Sequence, residues 1–490
     1  MLRQADGGSL LSLISDVTTT RKGAGHEINS HTSIFATSWL DRCLWSGHPC
    51  GCGYAANGRV SNASALEMDS CSQLCSVIFG ILAVQTDNYS HFYYLVPMSL
   101  SPEELSCRLA KIRQAMSHEG CESLLLRSIS SQLYLTGSVV SGWIYVPGEG
   151  EPVFFPDRTT SRLSDYDPQR VIPVRKPEQI PAALEPLGYR IDQHTALERS
   201  YLTEVDYERL SKLSPSGVSS VDAGTLLRQV RMIKTPGEIR LIRETATRHS
   251  EIYEIAPQLY EPGMTDLEWQ FALEYEMRKR GWIGLFRTFG TQMESFSGSV
   301  IAGDNASFAS PYDFTMGGRG VASFPLGAAG HVIRPGEAVM VDLAGDYSQY
   351  QSDCTRTYYV GTLPDEAFRR HEISLRMHEW LEEVGEPGFP IGEIYNHCLH
   401  LAEQFGVADH FMGDELRARY VGHGVGLEIN ELPILTGRWP GVLEEGMVIA
   451  FEPKIILPGV GALGIEDTYL VQPDGLECLT TPERTLVKLC

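Results

Sequence analysis

Beyond residue 98 the apolar positions of the chain fall into helical and strand-like rhythms. Leu105, Leu109, Ile112 and Met116 recur on one helical face, which predicts an amphipathic helix. Ser101 is placed to cap it, Pro102 suits its first turn and Glu104 completes a capping box. Four short apolar runs follow, each bounded by turn residues: Ser123–Leu126, Gln132–Gly137, Trp143–Val146 and Pro152–Phe155. Runs of this length predict strands, and the helices between them predict a small α/β domain that continues to about residue 216. The stretch 214–220, rich in Ser, Pro and Gly, reads as a linker. Leu226, Val230 and Ile233, then Ile239 and Ile242, predict helix broken at Thr235-Pro236-Gly237. A further helix opens at Thr265, with Glu268 completing its capping box ahead of Trp269, Ala272 and Tyr275. From about residue 330 the pattern turns to β, with Ala338–Val341, Tyr358–Val360, Met447–Phe451 and Ile465–Val471 as strands and Asp365–Phe405 as helix. No short-period repeat is present.

Residues 1–97 show no sustained period. They hold 5 of the 11 cysteines but only 12 charged residues. Three readings stand: a disordered or poorly packed extension, a small zinc module built from His48, Cys50, Cys52, Cys71 and Cys75, or a segment foreign to the natural protein, with translation starting at Met98. The cysteine spacing lacks the paired form typical of zinc modules, so an extension or a non-native segment is expected.

Composition narrows the function. The 490 residues are 43% hydrophobic and 21% charged, an ordinary globular balance. A formal charge of −22 argues against nucleic acid as a partner, because phosphate backbones need a basic face. The longest uncharged apolar run, Val77–Val84, is far short of a membrane span. Arg3 is followed by Asp6 and a short apolar stub, which does not make a signal peptide. An odd number of cysteines in a long chain does not describe a disulfide framework. A cytoplasmic protein is expected, in which the Asn-Xaa-Ser triplets at Asn62, Asn88 and Asn305 carry no meaning.

Five residues stand out as candidate metal ligands. Asp342 follows an apolar strand, and Asp353 comes after the turn-forming stretch 345–348, so an antiparallel pair would set the two side by side. Glu452 ends a strand and is followed by Pro453; Glu466 begins another. His423 lies between Gly422 and Gly424, where the backbone can pass close to a neighbour. Carboxylates in apolar strands are costly unless paired or bound to a cation. Two divalent ions would relieve the repulsion among four of them. Oxygen donors with one imidazole suit Mn, Co or Fe, with Zn ranked below them. Any one of these acids alone reads as a surface or ion-paired residue; together they read as a site.

The same residues carry a resemblance. The segment from Asp342 to Thr357, the run Gly422-His423-Gly424-Val425-Gly426-Leu427-Glu428-Ile429-Asn430-Glu431, Glu444 through Pro453, and Ile465-Glu466-Asp467-Thr468 resemble, in order and spacing, the metal motifs of the pita-bread metallopeptidases, the prolidase, Xaa-Pro aminopeptidase and creatinase-like family M24. Arg231-Met232-Ile233-Lys234-Thr235-Pro236-Gly237 is similar to that family's approach to the catalytic domain. The resemblance spans about residues 98–490. It implies an α+β architecture: a creatinase-type α/β domain over 98–216, then a pita-bread catalytic domain over 217–490. It also implies that Asp342 chelates one of two divalent metal ions and that His423 with Glu452 chelates the other. Asp353 and Glu466 would bridge both ions, and a bridging water would be the nucleophile, with Glu452 relaying a proton. Thr355 and Thr468 would support the ligands. The expected substrate is a small peptide or amino-acid derivative with an Xaa-Pro-type amide, hydrolysed by a homodimer. The alternatives are a relative with other chemistry, either C–N hydrolysis of a small molecule or a metal-assisted lyase, and a metal-free binding module. The complete ligand set argues against the last.

The chain departs from the family where substrate is recognised. Asn430 stands where the peptidases usually keep a histidine, Arg419 where they commonly keep another, and no histidine lies near 309–311. The arginine usual two residues before the last glutamate is Gly464. Asn430 therefore takes the catalytic histidine's place as a hydrogen-bonding group, Arg419 is a candidate substrate contact, and the insertion 312–330 is expected to reshape the pocket. Weak turnover of standard Xaa-Pro dipeptides over an intact metal site is the expectation. Gly317-Gly318-Arg319-Gly320 has no phosphate-loop context, and Arg319 is at most a carboxylate anchor. His331 and His410 read as surface residues, Cys354 as a small buried hydrophobe, Asp346 as a turn acid and Asp467 as a structural partner.

Overall fold

The computed structural model describes residues 100–158, 161–284, 287–289, 297–312 and 316–490. The cysteine cluster, the Met98 start and the other expectations for residues 1–97 lie outside them.

The first helix, α1 (Pro102–Glu119), starts where the sequence places it, with the Ser101 hydroxyl accepting from Glu104 N. Such a cap contributes about 0.5–2 kcal/mol. The Glu104 side chain takes different partners from those of a capping box: it accepts from Arg108 at 2.7 Å and from Thr235 at 2.5 Å, tying α1 to the start of a later helix. Then come β1 (Ser123–Leu126), α2 (Ile129–Thr136), β2 (Gly142–Pro147), β3 (Val153–Pro156), α3 (Ile180–Leu184), β4 (Thr195–Leu197) and α4 (Glu204–Ser211). The sheet order is β3-β2-β1-β4, antiparallel except for β1 with β4.

One predicted strand is a helix. Residues 132–136 belong to α2, capped by Ser128 and ended by Gly137 at φ 69°. Every residue from Ser130 to Thr136 is buried, so no polar face marks the helical period.

Two long helices follow: α5 (Ala223–Met232) and α6 (Pro236–Ile255), the second opened by a full Thr235/Glu238 capping box. In α7 (Asp266–Lys279) the Thr265/Glu268 box also forms, but the buried face is Trp269, Leu273 and Met277, and Tyr275 is exposed. Leu273 and Met277, apolar and one and two turns beyond Trp269 on the same face, take the core in place of the predicted Ala272 and Tyr275.

The remaining elements make two antiparallel-rich sheets and a ribbon. The first sheet has the order β15-β7-β6-β5, from β5 (Gly298–Ala302), β6 (Ala338–Asp346), β7 (Gln351–Val360) and β15 (Val487–Leu489). The second has the order β14-β13-β10-β8-β9, from β8 (Gly422–Gly424), β9 (Glu431–Ile434), β10 (Val448–Phe451), β13 (Asp467–Gln472) and β14 (Gly475–Cys478). The ribbon is β11 (Lys454–Leu457) with β12 (Gly461–Gly464). Helices α8 (Asp365–Val384) and α9 (Ile391–Gln404) divide the single predicted helical stretch around Gly385–Pro390. Among the described residues no helix is long and apolar enough to cross a membrane.

Candidate metal centre

The centre is assembled where the two sheets meet. In the β6–β7 pair Asp342 opposes Thr355, and Asp353 opposes Ala344. The two aspartates are thus diagonal neighbours on one face, within reach of a shared ligand. An antiparallel bridge then joins Thr355 to Glu466, with reciprocal backbone hydrogen bonds of 3.1 and 3.2 Å. From the other sheet, His423 opposes Ala450, and Glu452 follows directly after the end of β10, its N–H donating to Val421 O at 2.9 Å. The glycines around His423 are spacers against neighbouring backbone. A Cβ at 422 would stand 2.0 Å from Ala450 O, and one at 424 would stand 2.1 Å from Leu432 O.

The five predicted ligands therefore converge. Asp353, His423 and Glu466 bring one donor atom each to within 4.8 Å of one another. His423 Nε2 lies 3.8 Å from Asp353 Oδ2 and 3.9 Å from Glu452 Oε1. The other ring nitrogen, Nδ1, is 3.1 Å from Gly424 O, a contact that turns Nε2 toward the carboxylates. Burial pushes the carboxyls of Asp342, Asp353 and Glu466 above the usual carboxylate range. For Asp353 the charges of Glu466, Asp342 and Glu452 add to burial. A divalent cation reverses that penalty, and this donor set of oxygens with one imidazole fits one.

Both threonines hydrogen-bond to candidate ligand residues. Thr355 Oγ1 donates to Glu466 Oε2 at 2.7 Å. Thr468 Oγ1 donates to Asp353 O at 2.8 Å and accepts from Asp353 N at 3.0 Å. Asp467 is a structural partner, bound by Arg356 at 2.7 Å and Arg484 at 2.9 Å. Asp346 is more than a turn acid: it is fully buried beside Arg287, and burial pushes its carboxyl up to about 6.

The predicted substrate residues are dispersed. Asn430 is half-buried, and its Oδ1 accepts from Phe289 N at 3.0 Å. Arg419 is exposed; it lines a cavity of about 310 Å³ with Ser310, Tyr312 and Gly317, to which none of the five ligand residues contributes. Arg319 stacks over Phe308. His331 pairs with Glu337, His410 with Asp414, and Cys354 is a buried thiol.

Three groups escaped the sequence reading. Lys454 is fully buried, with Nζ 3.0 Å from Asp342 Oδ2, 2.9 Å from Glu452 Oε2 and 3.0 Å from Glu466 Oε2. Burial alone would lower its pKa, but the charges of Asp342, Glu452 and Glu466 hold it well above the usual value. A signal was present: Lys454 is two residues from Glu452, across Pro453, and opens the apolar ribbon strand β11. Arg356 donates to the backbone carbonyls of Thr355 and Glu466, each at 2.8 Å, and so fixes the bridge. Arg231 and Lys234 from the approach motif meet Glu428 and Glu431 of the histidine motif at 2.6, 3.1 and 3.3 Å.

Comparison with known proteins agrees with this geometry. The profile of metallopeptidase family M24 matches residues 240–473, and that of the creatinase/prolidase N-terminal domain matches residues 108–233. A curated Xaa-Pro dipeptidase of Pyrococcus furiosus is 26% identical over 385 residues, covering 78% of this chain and 99% of its own. A solved Xaa-Pro dipeptidase from Bacillus anthracis superposes with a TM-score of 0.66 at 24% identity, covering 79% of this chain and 100% of that one. The N-terminal domain of a FACT complex subunit from chickpea shares the fold at 12% identity, with a TM-score of 0.61 and coverage of 80% and 100%. The α+β pita-bread architecture with a creatinase-type N-terminal domain is common to these chains.

Proposed function

Because the chain belongs to metallopeptidase family M24, we propose that it is a metal-dependent hydrolase of the Xaa-Pro type. In this reading a creatinase-like domain over 98–216 precedes a catalytic domain over 217–490. The observation that carries it is the meeting of Asp353, His423 and Glu466 donors within 4.8 Å, beside Asp342 and Glu452. A divalent ion held there would acidify water and polarise a carbonyl. The chain's own residues prepare the place: Thr355 orients Glu466, Thr468 pins the Asp353 backbone, and the Gly424 carbonyl orients His423. Glu452 Oε1 faces His423 and is the carboxylate oxygen placed to take up a proton. The protein is proposed to act as a cytoplasmic homodimer, with Mn²⁺, Fe²⁺ or Co²⁺ ahead of Zn²⁺.

Asn430 favours a narrower variant of this reading. Its Oδ1 accepts from Phe289 N, its amide N–H₂ is the donor it offers a substrate, and it cannot shuttle a proton. With Asn430 and Gly464 in place of the family's usual histidine and arginine, weak turnover of standard dipeptides is proposed, and a small amino-acid-derived amide is the alternative substrate. A lost transition-state donor costs about 10²–10³ in rate. The test is a screen of the metal-loaded protein across Xaa-Pro dipeptides, longer Xaa-Pro peptides and small amides. Metal-dependent turnover is expected, with kcat/KM below about 10⁴ M⁻¹s⁻¹ on dipeptides. Absence of any metal-dependent cleavage would overturn the hydrolase, and dipeptide turnover above that value would overturn the narrower variant.

A further inference from the structure

Lys454 has no part in the hydrolytic reading, yet it is the most completely bonded charge at the centre. Its side chain is fully buried, and its Nζ lies within 3.0 Å of three carboxylate oxygens, from Asp342, Glu452 and Glu466. An ammonium has three donors and no acceptor, so this arrangement satisfies it. Those residues are also the ones a second divalent ion would draw on, with Asp342 as its own ligand and Glu466 as the bridge. An ammonium and a metal ion cannot share the same oxygens at hydrogen-bond distance without strong repulsion.

The backbone holds the lysine there. Lys454 O accepts from Met412 N at 2.9 Å, and Lys454 pairs in register with Gly464 across the ribbon. Gly464 is the position where the resemblance expects an arginine. At φ +134°, a Cβ at 464 would stand 2.6 Å from Pro453 O and 3.1 Å from Lys454 Cα, so no side chain fits. The ribbon thus carries its cation on the strand opposite the expected one.

We infer that Lys454 is a built-in second cation: its ammonium occupies the Asp342 side of the centre, leaving a single divalent ion to Asp353, His423 and Glu466. This rests on the metal-dependent reading above and replaces the two ions and bridging water that the family resemblance implies by one ion and one fixed ammonium. Asp342 then serves the lysine and is not a metal ligand.

The experiment is metal stoichiometry on the full chain, stripped with chelator, reloaded with Mn²⁺ and read by elemental analysis and electron paramagnetic resonance. The wild type is expected to hold one Mn²⁺ per chain with an isolated six-line signal. Lys454→Met and Lys454→Gly are expected to hold two, with a spin-coupled signal. Lys454→Arg and Asp342→Asn are expected to keep one. Two ions per wild-type chain would overturn the inference and leave the hydrolase standing, whereas no ion in the folded wild type would overturn both. A folded Lys454→Met with one ion would also overturn the inference, because the vacated carboxylates should fill. Should the Lys454 variants fail to fold, the wild-type stoichiometry and its signal decide alone.

Discussion

Two clusters of buried charge draw on the segment 422–434 and differ in their balance. In the first, Arg231 and Lys234 meet Glu428 and Glu431, two cations against two anions, with Ser130 and Tyr201 donating to Glu428 at 2.6 and 2.9 Å. Burial pushes the Glu431 carboxyl up, but Arg231 and Lys234 outweigh it and leave the group below the usual range. In the second, one ammonium faces Asp342, Glu452 and Glu466, with Asp353 and His423 beside them. There the carboxyls of Asp342, Asp353 and Glu466 are driven upward. A balanced cluster is complete within the chain and holds the histidine loop to α5. An unbalanced one is neutralised only by protons or a further cation, which is what marks it as a site.

The sharpest break in this comparison is Glu466→Ala or Asp353→Ala. Either should abolish metal-dependent turnover, by more than about 10³-fold, beyond the 10–100-fold typical of outer partners. The same substitutions should leave the thermal midpoint of the metal-free protein unchanged or higher, because they remove excess like charge. Retained turnover with a bound ion in either variant would sink the ligand assignment. Arg231→Met is the mirror experiment. It leaves Glu428 without its cation and Glu431 with Lys234 alone, and should cost about 3–5 kcal/mol in denaturant unfolding. Metal binding at low temperature should survive, and an unchanged unfolding midpoint would contradict the structural role.

Smaller effects sharpen the contrast. Thr355→Val removes the hydroxyl that orients Glu466 Oε2, with an expected 10–100-fold loss in metal affinity by calorimetric titration. The effect most remote from the centre is a pH dependence of the frame. Burial, with Arg356 adding to it, lowers His249 to about 3. Burial lowers His371 to about 4, against a hydrogen bond to Arg484 O that raises it. Both pKa values are depressed on folding, so their contribution is complete above the unfolded value near 6.5 and is lost as pH falls toward 4 and 3. Each adds a slope of up to about 1.4 kcal/mol per pH unit in that window. Urea unfolding between pH 7 and 4.5 should show it, and His249→Gln should flatten it by one residue's share.

The sequence by itself determined the helix starts at Ser101, Thr235 and Thr265, most strand positions and the five residues that converge. These follow from local rules: a cap needs only its own turn, and a carboxylate at a strand end is costly wherever the strand goes. Tertiary structure decided the rest. Residues 132–136 became helix because burial on every side erased the period that would have announced it, and α7 turned Leu273 and Met277 inward by packing. Asn430 and Arg419 were assigned by position along the chain, but hydrogen bonding and exposure are set by what folds against them. Lys454 is the clearest case. Its nearness to Glu452 was readable from the sequence, but that its ammonium also meets Glu466, 12 residues on, and Asp342, 112 residues back, depends on how the ribbon folds against β6. Only the closed structure fixes which charges share one low-dielectric space.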